Sequence, residues 1–272
     1  MKMVNPKVLG VLNITPDSFS DGNQFLSFES AIDQAKLLQI SGADVIDVGG
    51  ESTRPGADRV SLETEQQRVI PVITELVKLG ITVSIDTMNS ETAAKAVQAG
   101  ATIINDVSGG RADENMFGVA AENNVTLVIS HWRGFSDQMD QMNQYQDVAV
   151  DVARELAEQV EKAMAAGVSR DKIVIDPGLG FAKDMKQNWE LVARLDELEK
   201  LGLPILVGAS RKRFIAGALE TDIQAVGNDR RDVATAVLTA LLLQRKLWGV
   251  RVHNGLTTVD AINIVAALRE AE

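Results

Sequence analysis

The sequence predicts an α/β protein of one domain, a closed (β/α)8 TIM barrel spanning residues 1–272. Three observations predict it. Short apolar runs rich in β-branched residues alternate eight times with longer stretches of helical period. In a chain of 272 residues, that alternation specifies a parallel sheet with helical crossovers. The competing arrangement, an open doubly wound sheet, lacks its phosphate fingerprint, because no GxGxxG follows the first strand. No linker, low-complexity tract or internal repeat divides the chain.

The strands are expected at Val8 to Leu12, Asp44 to Val48, Thr82 to Ile85, Thr102 to Asn105, Val125 to Ile129, Ile173 to Ile175, Pro204 to Val207 and Gly249 to Val252. Helices fill the gaps. Ala31, Ala35 and Leu38 share one face, as do Val152, Leu156, Val160 and Ala163. Leu191, Leu195 and Leu198 form another such set, and Val259, Ile262 and Ala266 the last. Pro71 stands inside a further helical pattern, so that helix is expected to start late or kink there. The stretches Thr15 to Phe28 and Gly49 to Ser61, after the first two strands, read as mobile covers for a site. Arg133 to Gln146, rich in Met, Gln and Asp, reads as another exposed loop.

Composition narrows the function. The chain is 45% hydrophobic and 24% charged, ample for a large core. No apolar run approaches the ~20 residues of a membrane span. The polar start MKMVNPK has no secretory apolar segment behind it, and a cytoplasmic enzyme is the expectation that the absence of cysteine fits. Without cysteine there is no disulfide framework, thiolate nucleophile or thiolate metal site. A net charge of -11 and a pI near 4.8 argue against a nucleic-acid surface. Any anionic ligand must be drawn by a local cluster of positive groups.

Ligands of such barrels sit at the carboxyl ends of the strands. The residues standing there are Asn13; Thr53 and Arg54; Asp86; Asn105 and Asp106; His131; Asp176; Ser210, Arg211 and Lys212; and Arg251 and His253. The second of these ends is the most distinctive. In DVIDVGGESTRPGA, Asp44 to Ala57, a buried strand pattern runs into two glycines, a polar set and a Pro-Gly turn.

These strand ends carry a resemblance. GVLNITPDSFSDG (Gly10 to Gly22), DVGGESTRPGA (Asp47 to Ala57), SIDT (Ser84 to Thr87), IND (Ile104 to Asp106), DPGLGF (Asp176 to Phe181), GASRKRF (Gly208 to Phe214) and RVH (Arg251 to His253) resemble the motifs of the dihydropteroate synthases, the sulfonamide target of folate synthesis. The match covers essentially the whole chain in the right order. It implies a transferase that condenses 7,8-dihydropterin-6-ylmethyl diphosphate with p-aminobenzoate, giving 7,8-dihydropteroate and diphosphate.

The resemblance also implies roles. Asp176 would accept the paired N–H donors of the pterin edge, with Asn105 and Asp86 reading neighbouring ring positions. Lys212 would donate to the ring, and Phe181 would shape the pocket beside it. Asn13, Thr53, Arg251 and His253 would meet the diphosphate, Asn13 through a magnesium ion. Phe19, Thr53, Arg54, Pro55 and Ser210 would hold p-aminobenzoate. Asp17, Lys212 and Asp86 would be the catalytic groups, Asp17 facing the cationic methylene. Asp106 and His131 read instead as structural hydrogen-bonding residues. A homodimer is the family expectation.

Several positions depart from the family pattern: Ser130 and Trp132 flank His131, Arg213 stands in GASRKRF, and Asn254 follows RVH. Methyltransferase domains that bind methyltetrahydrofolate share the barrel and pterin pocket. They need no diphosphate site, however, and the GVLNITPDSFSDG loop with Asn13, Arg251 and His253 argues against them.

Overall fold

A computed structural model of the chain describes residues 5–14, 24–51, 60–135 and 138–271. Eight parallel strands form one sheet: β1 Lys7–Asn13, β2 Val45–Gly49, β3 Val83–Asp86, β4 Ile103–Asp106, β5 Thr126–Ser130, β6 Ile173–Asp176, β7 Leu206–Val207 and β8 Gly249–Val252. Their order is β6-β5-β4-β3-β2-β1-β8-β7. A parallel bridge from Ile175 to Ile205 joins β6 to the start of β7 and closes the ring.

Each expected strand is present, but several run one residue further than the apolar pattern. Asn13, Asp86, Asp106, Ser130 and Asp176 all lie within their strands. Asp86 pairs with Asn105, and Ser130 with Asp176, in unbroken register. The ladder is made by backbone groups and is indifferent to the side chain. The apolar run therefore stops where the interior changes from core to site, while the strand continues.

The helices are α1 Gln24–Ile40, α2 Leu62–Lys78, α3 Ser90–Gln98, α4 Met116–Asn123, α5 Val148–Ala165, α6 Met185–Ala193, α7 Asp196–Glu199, α8 Arg213–Leu219, α9 Asn228–Leu242 and α10 Gly255–Glu270. Their apolar faces meet the outward-facing strand residues, including Ile46, Ile85, Ile104 and Ile129, in one large core. The first expected cover is shorter than the sequence reading, because α1 already begins at Gln24.

One expectation is overturned and a second is extended. The helix containing Pro71 does not start late: α2 begins at Leu62, where Ser61 caps the Thr64 N–H, and runs through Pro71. Pro71 and Gln67, whose carbonyl loses its partner, both face solvent, so water can satisfy the freed oxygen. The described residues of 133–146 are largely exposed or half-buried, as expected, but they are also anchored. The Arg133 guanidinium lies 3.8 Å from the centre of the Tyr145 ring and donates to the Gln144 carbonyl at 2.6 Å. Met139 is buried beneath it.

Candidate active site

The period-two alternation of the strands builds the site. Leu9, Val45, Ile103, Val128, Val174 and Leu206 point inward and fill the lower barrel with an apolar layer. Two residues further along the same strands stand Val11, Asp47, Asn105, Ser130, Asp176 and Gly208. Asp86 occupies the corresponding place on β3 and Arg251 on β8. On β2, β4, β5 and β6 one such step changes the interior from hydrocarbon to polar side chains, and Asp86 and Arg251 complete a charged and amide-bearing ring. Asp106, on the opposite face of β4 from Asn105, is turned away from this ring. It accepts from the Ser108 and Gly110 backbone N–H groups at 2.8 and 2.7 Å and from the Ser108 hydroxyl. Burial pushes it up to about 6 against those bonds.

Arg251 spans the ring. Its Nε donates to Asp47 Oδ2 and its Nη2 to Asp86 Oδ2, each at 2.5 Å. Burial opposes its charge, but the two carboxylates outweigh that and hold its pKa above the usual arginine range. Asn105 Nδ2 donates to the same Asp47 oxygen at 3.1 Å. Asp86 is the poised acid. Burial raises it to about 7 despite Arg251, and Asp47, Glu65 and Asp106 add to the rise.

On the other side, Asp176 Oδ1 accepts from the Gly178 N–H at 2.6 Å, and burial raises its pKa against the pull of Lys212. Lys212 donates to the Leu179 carbonyl and lies 4.6 Å from the centre of the Phe181 ring. Burial lowers it to about 8, with Asp176 pulling the other way. Ser210 Oγ accepts from the His253 N–H at 3.2 Å and stands 3.0 Å from His253 Nδ1. Two glycines leave room for the carboxylates. A Cβ at Gly49 would stand 3.5 Å from Asp86 Oδ2, and one at Gly208 would stand 3.5 Å from Asp176 Oδ2.

Asp47 and Asp106 apart, these groups face one cavity of about 950 Å³ at the carboxyl rim, lined by Asn13, Asp86, Asn105, Asp176, Phe181, Ser210, Lys212, Arg251 and His253. A family model described as "Pterin binding enzyme" matches residues 9–253. The chain is 47% identical over 269 residues to the dihydropteroate synthase of Mycobacterium leprae, covering 98% of this chain and 95% of that one.

The chain belongs to the dihydropteroate synthase family of pterin-binding enzymes.

Solved structures of the family superpose closely. The Xanthomonas albilineans dihydropteroate synthase with 4-aminobenzoic acid is 38% identical with a TM-score of 0.89, covering 97% of this chain and 93% of that one. The Yersinia pestis dihydropteroate synthase in complex with a sulfonamide drug is 34% identical, also with a TM-score of 0.89, covering 98% and 95%.

The site residues expected from the family motifs gather at this rim wherever they are described. Asp17, Phe19, Thr53, Arg54 and Pro55 lie outside the described residues. Sequence reasoning missed Asp47 as a member of the ring. The signal was available: a lone carboxylate inside the apolar run Val45 to Val48 has to find a partner. Lys183, buried at the cavity wall, was missed as well. A lysine two residues beyond a glycine-rich motif carries no comparable signal.

Proposed function

We propose that this protein condenses 7,8-dihydropterin-6-ylmethyl diphosphate with p-aminobenzoate to give 7,8-dihydropteroate and diphosphate. The observation that carries the reading is the shared rim, where Asp86, Asn105, Asp176 and Lys212 stand beside Arg251, Ser210 and His253 around one cavity. Asp176 and Asp86 supply acceptors for pterin N–H groups. Asn105, whose Nδ2 is held by Asp47, keeps its carbonyl oxygen for the ligand. Lys212 supplies the donor, with Phe181 against the ring.

The aniline nitrogen is neutral at pH 7 and attacks the methylene carbon. The carbon–oxygen bond breaks as the carbon–nitrogen bond forms, the electron pair leaves on diphosphate, and the amine then loses its proton. Positioning of the two partners and stabilisation of the departing charge are the main sources of rate. Arg251 and His253, with Thr53, are assigned to that charge. Phe19, Arg54, Pro55, Thr53 and Ser210 are assigned to p-aminobenzoate, and Asp17 to the cationic methylene.

Asn13 suits a magnesium ion. Its side-chain oxygen and Asp86 Oδ2 flank the same point of the cavity wall, 3.6 and 3.5 Å from where a Cβ at Gly49 would stand. A single neutral oxygen fits a hard cation that keeps most of its waters. When bound, the ion would neutralise diphosphate charge. We further assign the protein to the cytoplasm, where a diphosphate ester and magnesium are both available, and to a homodimer. The dimer reading is supported by α9, where Val233, Val237 and Leu241 form an exposed stripe at four-residue spacing beside Trp189 and Leu219.

The deciding experiment mixes purified protein, both substrates and magnesium, and measures diphosphate and dihydropteroate. Equimolar release of both supports the reading. Pterin binding with no diphosphate release would leave only a binding protein.

A further inference from the structure

We propose that Lys183 is a positioning residue for the pterin end of the site: its buried ammonium ties together the turn that carries Asp176 and Phe181. This rests on the function proposed above. The turn is easy at its glycines and strained at one residue beyond them. Gly178 and Gly180 have φ of +64° and +78°, and Ala182, which has a Cβ, has φ of +48°. Such backbone persists only where the surroundings over-determine it.

The surroundings do so. Lys183 Nζ lies 2.9 Å from His131 Nδ1 and donates to the Gly178 and Phe181 carbonyls at 3.0 Å each, one acceptor for each ammonium hydrogen. The Tyr145 hydroxyl donates to the Ala182 carbonyl at 3.0 Å, and the Gly180 N–H donates to Asn188 Oδ1 at 2.6 Å. A Cβ at Gly178 would fall 1.9 Å from the His131 carbonyl oxygen, so the turn is seated directly on the exit of β5.

A chain of hydrogen bonds fixes Lys183 from behind, against the burial that lowers its pKa well below the usual lysine range. Burial, with Lys183 beside it, lowers His131 to about 3, so the ring is neutral. Its Nε2–H points at Glu155 Oε2, 3.1 Å away, which leaves Nδ1 as the acceptor for Lys183. Glu155, on α5, is held in turn by Arg133 Nε at 3.0 Å and Nη2 at 2.5 Å. Asp176, through the Gly178 N–H, and Lys212, through the Leu179 carbonyl, are both attached to the turn that this chain secures.

The test is Lys183→Met, which keeps the stem and removes the donors and charge. We expect KM for the dihydropterin diphosphate to rise at least about tenfold while KM for p-aminobenzoate stays within about twofold, with the melting temperature within about 5 °C. An unchanged pterin KM would overturn the inference, as would equal losses for both substrates. Lys183→Cys adds a rescue arm, because the chain has no cysteine of its own. Aminoethylation of the single thiol in denaturant, followed by refolding, should restore pterin affinity. Should Lys183→Met not fold, Glu155→Gln, which loosens the chain at its far end, carries the same test. A selective rise in pterin KM of about threefold supports the inference, and no selective change refutes it. A wild-type protein that forms no dihydropteroate would instead refute the function, not the role of Lys183 within the turn.

Discussion

At the scale of single residues, the site is a set of buried charges whose protonation must match the ligand. In the proposed role, Asp86, raised to about 7 chiefly by burial, accepts from a pterin N–H most strongly when ionised. Lys212, lowered to about 8 by burial, is the stronger, charged donor only when protonated. Activity therefore rises with pH as Asp86 loses its proton and falls as Lys212 loses its own. The expected kcat/KM profile is a bell with limbs near 7 and 8, reporting the free protein. Asp86→Asn should lower activity and abolish the acidic limb. A limb that survives this change would belong to another group. Asp47 shows how residue-level chemistry can hide in a strand, since its carboxylate orients both Arg251 and Asn105 without facing a ligand itself.

At the scale of elements, what was legible depended on whether a local pattern dictated the outcome. The eight strands were visible because β-branched runs have few alternatives, and the ends of the first six were placed one residue short because backbone pairing outlasts apolar side chains. The pleat was legible at β4, where Asn105 and Asp106 must face opposite ways. The start of α2 was not, since the usual rule for proline gave way to capping by Ser61 and exposure on the outer face. That compromise makes a prediction. Pro71→Ala restores an N–H to an exposed helix, worth up to about 3 kcal/mol, while the looser unfolded chain takes back about 1 kcal/mol. A net gain of about 2 kcal/mol should appear as a higher urea midpoint at unchanged slope. The anchoring of 133–146 was illegible for a different reason: composition cannot reveal that Arg133 stacks on Tyr145 and pairs with Glu155.

At the scale of the whole molecule, the barrel presents its cavity at one rim and an apolar stripe on the flank at α9. The two meet through that helix, because Asp232 on its buried side takes a bidentate pair from Arg211 at 2.7 Å for each bond. Arg211 itself is held at φ +59°, next to Ser210 and Lys212. Val237→Glu combined with Leu241→Glu should halve the mass seen by light scattering, since two desolvated carboxylates per partner cannot be buried in an apolar contact. A wild-type monomer under the same conditions would remove the dimer reading.

The hydrocarbon layer of Leu9, Val45, Ile103, Val128, Val174 and Leu206 has its own consequence for traffic. It seals the barrel from below, so reactants and products share a single doorway. If the pterin lodges against Asp86 and Asp176 and the aminobenzoate sits above it, as proposed, the pterin arrives first and departs only after it has been joined. Steady-state kinetics should accordingly show compulsory order, with dihydropteroate competing against the pterin diphosphate and not against p-aminobenzoate.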